Sequence, residues 1–463
     1  MKVIKTKKDL VGKAIEAADL YSAAAVYDIA DSNERREVEQ VMFSKRRNAL
    51  LLARWEHTPA SVLLGLSEYI LSAGEDAKLK RLYKNPNTPA EALSRQYEHE
   101  KSTKQRCSLI LLVAKHQHTP MSVLENIARF NNDIESLKML SRNASADENI
   151  LMTLVSRMPI IFDKNVASHL LASADVLMLI HDRGDVYTCA TVIGHKNCPL
   201  KLIEDAEIDD KLPLLVLRQL SKDERLSKVA LAKFLKNKDS VVRCGVASNL
   251  ATPKEIIRPL LDDSNAAVRR ALASRKDLTI ASIKVLLNDK DVWVRQWLAR
   301  NLRVPKKLLA QLSLDVHDDV RRAVARNARC SAEILNTLAK DKSAWVRSAV
   351  AYQKNTPKYI LELLAEDTNI DVLSGVANNH HTPQKILQKL ALSAEADIRR
   401  GVILNENVTR KTLLPLLEDS YYLHRLMLVT KPQLKDKDIW HLCDDPDFQV
   451  RFMAFRHFTK KFN

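Results

Sequence analysis

The stretch DDVRRAVARN, residues 318–327, decides how this chain folds. Val320 and Val324 stand four residues apart, on one face of a helix, and Asp318, Asp319, Arg321, Arg322 and Arg326 surround them. The same design returns as VVRCGVASN, AVRRALASR, WVRQWLARN, WVRSAVAYQ, DVLSGVANN and DIRRGVILN. Their first branched apolar residues are Val242, Val268, Val294, Val320, Val346, Val372 and Ile398, a spacing of 26 residues that continues more faintly through His424 to Val450. A sustained period of this kind marks a repeat array and overrides the domain count that length alone would suggest.

Composition agrees with a helical array. Hydrophobic residues make up 46% and charged residues 28% of the 463, and only 8 are glycine, which argues against a turn-rich β architecture. The longest apolar run, residues 109–114, is too short to span a bilayer, and the opening MKVIKTKKDL leads into acidic helix rather than a signal segment. These features predict a soluble, cytoplasmic protein with no membrane partner. Cys107, Cys189, Cys198, Cys244, Cys330 and Cys443 form no ligand-like cluster. They read as reduced structural thiols, with neither metal nor cofactor expected.

Counting the first anchor as zero, apolar residues recur at 0 and +4, then near +14, +15 and +18, as in Val320, Val324, Ile334, Leu335 and Leu338. Two short helices, each with one apolar stripe, account for this spacing. The turn between them often carries Thr-Pro: Thr252-Pro253, Thr356-Pro357 and Thr382-Pro383, and earlier Thr58-Pro59, Thr88-Pro89 and Thr119-Pro120. The threonine is expected to cap free amides of the second helix, and the proline to take its first position, where no amide hydrogen is needed. Helices of roughly 7 to 10 residues do not stand alone in water, so each must bury its stripe on neighbouring repeats.

The pattern V-R-x-x-V-A-x-N followed by x-x-T-P-x-x-I-L-x-x-L resembles the leucine-rich repeat variant family, a relative in architecture of HEAT and armadillo solenoids. The resemblance implies an all-α fold, an α-solenoid of right-handed type built from two-helix repeats. It is strongest over 242–423, where seven repeats keep one register. Upstream, the Thr-Pro anchors are 30 and 31 residues apart, and across 136–241 the spacing wanders between about 24 and 28, with Asp147, Asp175 and Pro199 in the proline slot. The expected organisation is a helical cap over 1–47, irregular repeats over 48–241, and regular repeats with a C-terminal cap over 242–463. Some family members add a cysteine-rich N-terminal module suggestive of an iron–sulfur cluster. Residues 1–47 contain no cysteine, so that cofactor does not carry over.

The arginines sort into rows. At +1 stand Arg243, Arg269, Arg295, Arg321, Arg347, Arg399, Arg425 and Arg451, and six residues before many of them stands an acid: Asp263, Asp289, Asp315, Asp341, Asp419 or Asp445. In HEAT-like solenoids residues so placed resemble a ladder of ion pairs, so Arg269, Arg295, Arg321 and Arg347 with Asp263, Asp289, Asp315 and Asp341 are expected to be structural. The +2 and +6 row is filled irregularly, by Arg270, Arg300, Arg322, Arg326, Arg400 and Arg456, with Cys244, Gln296, Ser348 and Ser374 elsewhere. Positions four apart share a helical face. Irregular filling suggests a task beyond folding.

Charge points to that task. Residues 242–463 hold 37 Lys and Arg against 25 Asp and Glu, residues 1–241 hold 36 against 32, and residues 242–330 hold 18 against 9. Unpaired cations on a regularly repeating surface suit a nucleic-acid backbone, DNA or RNA, because each neutralised phosphate releases counterions. Arg270, Arg300, Arg322 and Arg326 are the expected contacts, extended by Lys276, Arg303 and Arg329, with Lys306 and Lys307 nearby. An acidic protein partner fits the same charge, since solenoids bind proteins along their faces.

Trp293 and Trp345 share position −1, with Trp297 one turn on and Trp55 and Trp440 elsewhere. They are expected to fill gaps between repeats, the other reading being stacking on bases. His116 and His118, like His380 and His381, read as turn residues rather than metal ligands. The chain carries no glycine-rich phosphate loop, nucleophile elbow or HExxH, so no enzyme is indicated. HEAT-like alkylpurine DNA glycosylases resemble the chain in architecture and charge alone, with no catalytic residue matched.

Overall fold

Val320 and Val324 are buried on helix Asp318–Arg326, and Ile334, Leu335 and Leu338 bury the facing side of helix Ala332–Leu338. In the computed structural model, which describes residues 6–43, 45–72, 80–103, 109–209 and 211–462, no strand occurs among the described residues. Each period folds as such a pair. Ser240–Ser248 precedes Lys254–Leu260, Ala266–Ala273 precedes Ile280–Leu287, Val292–Arg300 precedes Lys306–Leu312, and Ala344–Tyr352 precedes Lys358–Leu364. The chain is an all-α solenoid of two-helix repeats.

Consecutive first helices pack directly on one another, closely enough to restrict position +3. A Cβ added at Gly375 would lie 2.7 Å from the Cβ of Ala351, and one at Gly401 would lie 2.8 Å from that of Ala377. Alanine fills the same position at Ala271, Ala323 and Ala349.

The Thr-Pro turn works differently from the sequence expectation. Thr252, Thr356 and Thr382 donate their hydroxyls back to the carbonyls of Val246, Val350 and Val376, at 2.7, 2.6 and 2.5 Å, so they close the end of the first helix. Each of these threonines is buried beneath its turn and faces the helix it follows. Pro253, Pro357 and Pro383 sit one residue before the second helix in extended backbone, and they have no side chain to cap it. Where proline is absent, Ser173, Ser227 and Thr279 cap the second helix by accepting an amide.

Two ladders run along the repeats. Arg321 donates through Nε and Nη2 to both carboxylate oxygens of Asp341, at 2.6 and 2.9 Å, and through Nη1 to the carbonyl of Asp315 at 2.8 Å. Arg243–Asp263, Arg269–Asp289, Arg295–Asp315, Arg347–Asp367 and Arg399–Asp419 repeat the bidentate pair. The acid six residues before the arginine therefore offers it a backbone carbonyl, while its carboxylate belongs to the arginine one repeat earlier. Each carboxylate is also held by the amide two residues on, as Asp341 is by Ser343 at 2.9 Å. His424, in the anchor slot of its repeat, is buried with Nδ1 3.0 Å from Asp419.

The second ladder uses position +7. Asn327 Nδ2 donates to the carbonyls of Ala299 and Asn301, at 2.7 and 3.3 Å, and Asn301, Gln353, Asn379 and Asn405 do the same one repeat apart. Arg275 takes this slot with two bonds of its own, to Ala247 and Asn249. These side chains satisfy carbonyls that the end of each first helix leaves without partners.

Residues 1–202 with 439–463 form one compact unit and residues 203–438 a second. The first unit joins the chain ends. Helix Phe448–Thr459 packs on helix Leu20–Val26, with the Tyr21 and Phe448 rings stacked at 4.1 Å. Lys13–Asp444, Arg456–Asp28 and Arg451–Asp19 pair at 2.7, 2.8 and 3.3 Å. In the irregular repeats of this unit Asn85 and Asn143 occupy the asparagine slot, and the His116, His169 and His195 Nε2 atoms lie within 3.0 Å of the carbonyls of Asn85, Asn143 and His169.

Removing a ladder arginine strands a carboxylate one repeat away. Arg321 and Asp341 side chains are 9% and 8% exposed, so Arg321→Ala should cost about 3 kcal/mol, near the lower end for breaking a buried pair. Arg322→Ala should change stability by less than about 0.5 kcal/mol, as an unpaired surface cation does. Urea melts of the two variants measure the difference.

The same pairs make stability pH-dependent. Burial opposes ionisation of Asp341, yet Arg321 and the Ser343 amide hold its carboxyl below the usual range, and Asp263, Asp289, Asp315 and Asp367 shift the same way. A carboxyl whose folded pKa lies below its unfolded value of about 3.9 stabilises fully above that pH and loses the contribution as pH falls through the folded value. The urea midpoint should hold from pH 7 to about 5 and drop below about pH 4, and the drop should be shallower in Arg321→Ala.

Candidate nucleic-acid interface

Once the anchors, the +1 arginines and the +7 amides are committed to packing, positions −1, +2, +3 and +6 of the first helices remain. Positions −1 and +3 are one turn apart, as are +2 and +6. Between residues 266 and 352 these rows hold Trp293 and Trp345 at −1, Arg270 and Arg322 at +2, Trp297 at +3, and Arg300, Arg326 and Tyr352 at +6.

The tryptophans do not fill gaps between repeats. Trp293, Trp297 and Trp345 are 51%, 39% and 60% exposed. The reason at Trp297 is steric. Its position is glycine or alanine in every neighbouring repeat because adjacent first helices touch there, so an indole must turn outward. It does so over a shallow groove of about 340 Å3 lined with Cys244, Gly245, Arg270, Ala271 and Ser274. Trp55 and Trp440 differ, each packing edge-on against rings of the C-terminal helix, Phe452 at 4.6 Å and Phe458 at 5.5 Å.

Guanidinium groups lie over two of the exposed indoles, Arg300 over Trp297 at 5.4 Å and Arg322 over Trp345 at 5.3 Å. Such contacts hold a long side chain in place while leaving its N–H edge free. Arg326 joins them: burial first, then the positive charges of Arg322 and Arg300, push its pKa down. The +1 arginines of the same helices, Arg269, Arg295 and Arg321, are each held by an aspartate. Among the described residues Arg270, Arg300, Arg322 and Arg326 have no ion-pair partner, and the Nε of Arg322 is shielded from solvent with no acceptor. Like charges gathered without counter-charge raise the local potential and favour an incoming anion.

Carboxylates bound the patch. Asp319 takes position −1 between Trp293 and Trp345 and is exposed. Beyond residue 352 the same position becomes Asp371 and Asp397, and burial first, then these two carboxylates, push the Tyr352 hydroxyl up.

The remaining residues expected at this site divide. Lys276 and Arg303 are exposed in the turns that follow the first helices, and Arg329 donates from its own turn to the carbonyl of Leu302 at 2.9 Å. Among the described residues no bond joins these three to the arginine cluster. Arg456, which shares the +6 position, is tied to Asp28 and leaves the row. Sequence reasoning assigned Asn327 and its equivalents no role. Their regular recurrence seven residues after each anchor was the available signal.

Cys189, Cys198, Cys244, Cys330 and Cys443 are in the thiol form, outside any disulfide, and burial pushes Cys330 and Cys443 up to about 12. Cys107 lies outside the described residues. Among the described residues no group of three or more histidine, cysteine or carboxylate side chains is placed to hold a metal ion. His116, His118 and His381 have ring nitrogens 2.9 to 3.2 Å from the carbonyls of Asn85, Thr88 and Thr356, one repeat back. No described helix is long and apolar enough to cross a membrane.

No family model matches the chain, and no curated protein matches it. Among solved structures it is similar to a leucine-rich repeat variant described as having a novel repetitive structural motif, 22% identical, over 54% of this chain and 88% of that one, at a TM-score of 0.33. It is also similar to a mutant of Kap121p, 12% identical, over 97% of this chain and half of that one, at a TM-score of 0.16.

Proposed function

We propose that the protein is a non-enzymatic binding scaffold of the leucine-rich repeat variant kind, acting in the cytoplasm, whose first-helix face over residues 266–352 holds the phosphate backbone of nucleic acid. The observation that carries this reading is the cluster of Arg300, Arg322 and Arg326, gathered without a carboxylate partner beside arginines that all have one. A folded chain has little reason to gather repelling cations unless an external anion relieves the repulsion. Guanidinium edges bind phosphate oxygens in pairs. Arg270, Lys276, Arg303 and Arg329 extend the track toward its ends and along the turns.

Backbone contacts position a ligand without reading its sequence, so affinity should depend steeply on salt and little on base order. The test is a salt titration of a fluorescent oligonucleotide with wild type and with R300E/R322E/R326E, circular dichroism confirming that the variant is folded. The slope of log affinity against log salt should shrink by roughly one for each phosphate contact removed. Equal binding by the variant at every salt concentration would remove the nucleic-acid reading and leave an acidic protein as the partner.

A further inference from the structure

We infer that the nucleic acid held on this face is single-stranded, its bases stacking on Trp293, Trp297 and Trp345; this rests on the backbone reading above. Three indoles between 39% and 60% exposed, two on helix Val292–Arg300 and one at the equivalent place two repeats on, leave apolar surface in water that packing could have removed. Duplex bases are already stacked inside the helix and offer no face to an indole. Unpaired bases do, and every base has one, so stacking suits a surface that reads no sequence.

The placement of the rings supports this occupant. Each paired ring stands beside a guanidinium, Trp297 with Arg300 and Trp345 with Arg322, so a base and its phosphate find partners next to each other. Trp293 and Trp345 occupy the same position two repeats apart, a separation of about 20 Å if repeats stack at the usual helix spacing. At about 3.4 Å per nucleotide that length spans about six nucleotides, within the roughly 4–16 that single-strand sites cover. Asp319, between them, disfavours a phosphate at the centre of the row and leaves room for a base there.

Fluorescence anisotropy with oligo(dT), oligo(U) and a duplex of equal length, each at two salt concentrations, tests the inference. Wild type should bind at least one single strand roughly 10-fold or more tighter than duplex, with quenching of tryptophan emission. Tighter binding of oligo(dT) or of oligo(U) assigns the strand to DNA or RNA. W293A/W297A/W345A should lose roughly 10- to 100-fold in single-strand affinity, a clearly larger loss than in duplex affinity, while keeping the wild-type urea midpoint. The phenylalanine equivalents should retain most of the affinity. If duplex binds as tightly as single strand and the alanine variant matches wild type, the inference is overturned while the backbone reading stands. If wild type binds neither polymer at low salt, both fall.

Discussion

Arg321 reaches past its own repeat to grip both oxygens of Asp341, and that bidentate bond, made again at Arg243, Arg269, Arg295, Arg347 and Arg399 and missing where Leu373 takes the slot, is the constraint on which the regular half of the molecule depends. Helices of seven to nine residues cannot hold their own register. Hydrophobic stripes alone allow neighbours to slide, because apolar contact is non-directional. A planar guanidinium facing a carboxylate fixes direction, and its third bond, to the carbonyl of the preceding aspartate, ties the two inter-repeat turns that flank its own repeat together. The asparagine ladder does equivalent work at the other end of the first helix, satisfying two carbonyls of the previous repeat.

These ladders explain why charge accumulates where it does. Every aspartate of the row already has an arginine, so no carboxylate of the framework is free to neutralise the cations at +2 and +6. Positions +2 and +6 belong to neither ladder, and what fills them varies from repeat to repeat, from the buried Gln296 and Ser374 to the exposed Arg326 and Arg400. Serine, cysteine, glutamine, arginine and asparagine all occur there. Three arginines and three exposed tryptophans concentrated within residues 293–345 are therefore a local departure from an otherwise tolerant surface.

Much of this was legible in the sequence because a 26-residue period forces equivalent residues into equivalent environments. The two-helix unit, the separation of +1 from +2 arginines and the residues of the cluster follow from position alone. Partner choice does not. Asp315 and Asp341 are both near Arg321, six residues before and twenty after, and only the stacking geometry decides which presents its carboxylate and which its carbonyl. The direction of the Thr252 hydroxyl was hidden for the same reason, since a turn residue can serve the helix before it or after it. Tryptophan exposure was misjudged because packing area was weighed without the close approach at +3. The Arg456–Asp28 pair, 428 residues apart, left no trace in a one-dimensional pattern.

The irregular repeats show how far the framework can drift before its chemistry changes. Asn85 and Asn143 still bridge to the preceding repeat although their spacing departs from 26, so the bond follows the end of the helix rather than the length of the loop. At His116, His169 and His195 an imidazole bonds one carbonyl where an amide bonds two. Burial pushes His116 and His195 down, toward the neutral ring, against the opposing effect of those bonds. The irregular repeats thus use both devices in the same slot, the two-bond amide at Asn85 and Asn143 and the one-bond imidazole at His116, His169 and His195. In the first helices of residues 266–352 the carbonyls at the helix ends are met by +7 side chains and, at Val350, by the Thr356 hydroxyl, so that task does not fall to the arginines and tryptophans that face outward there.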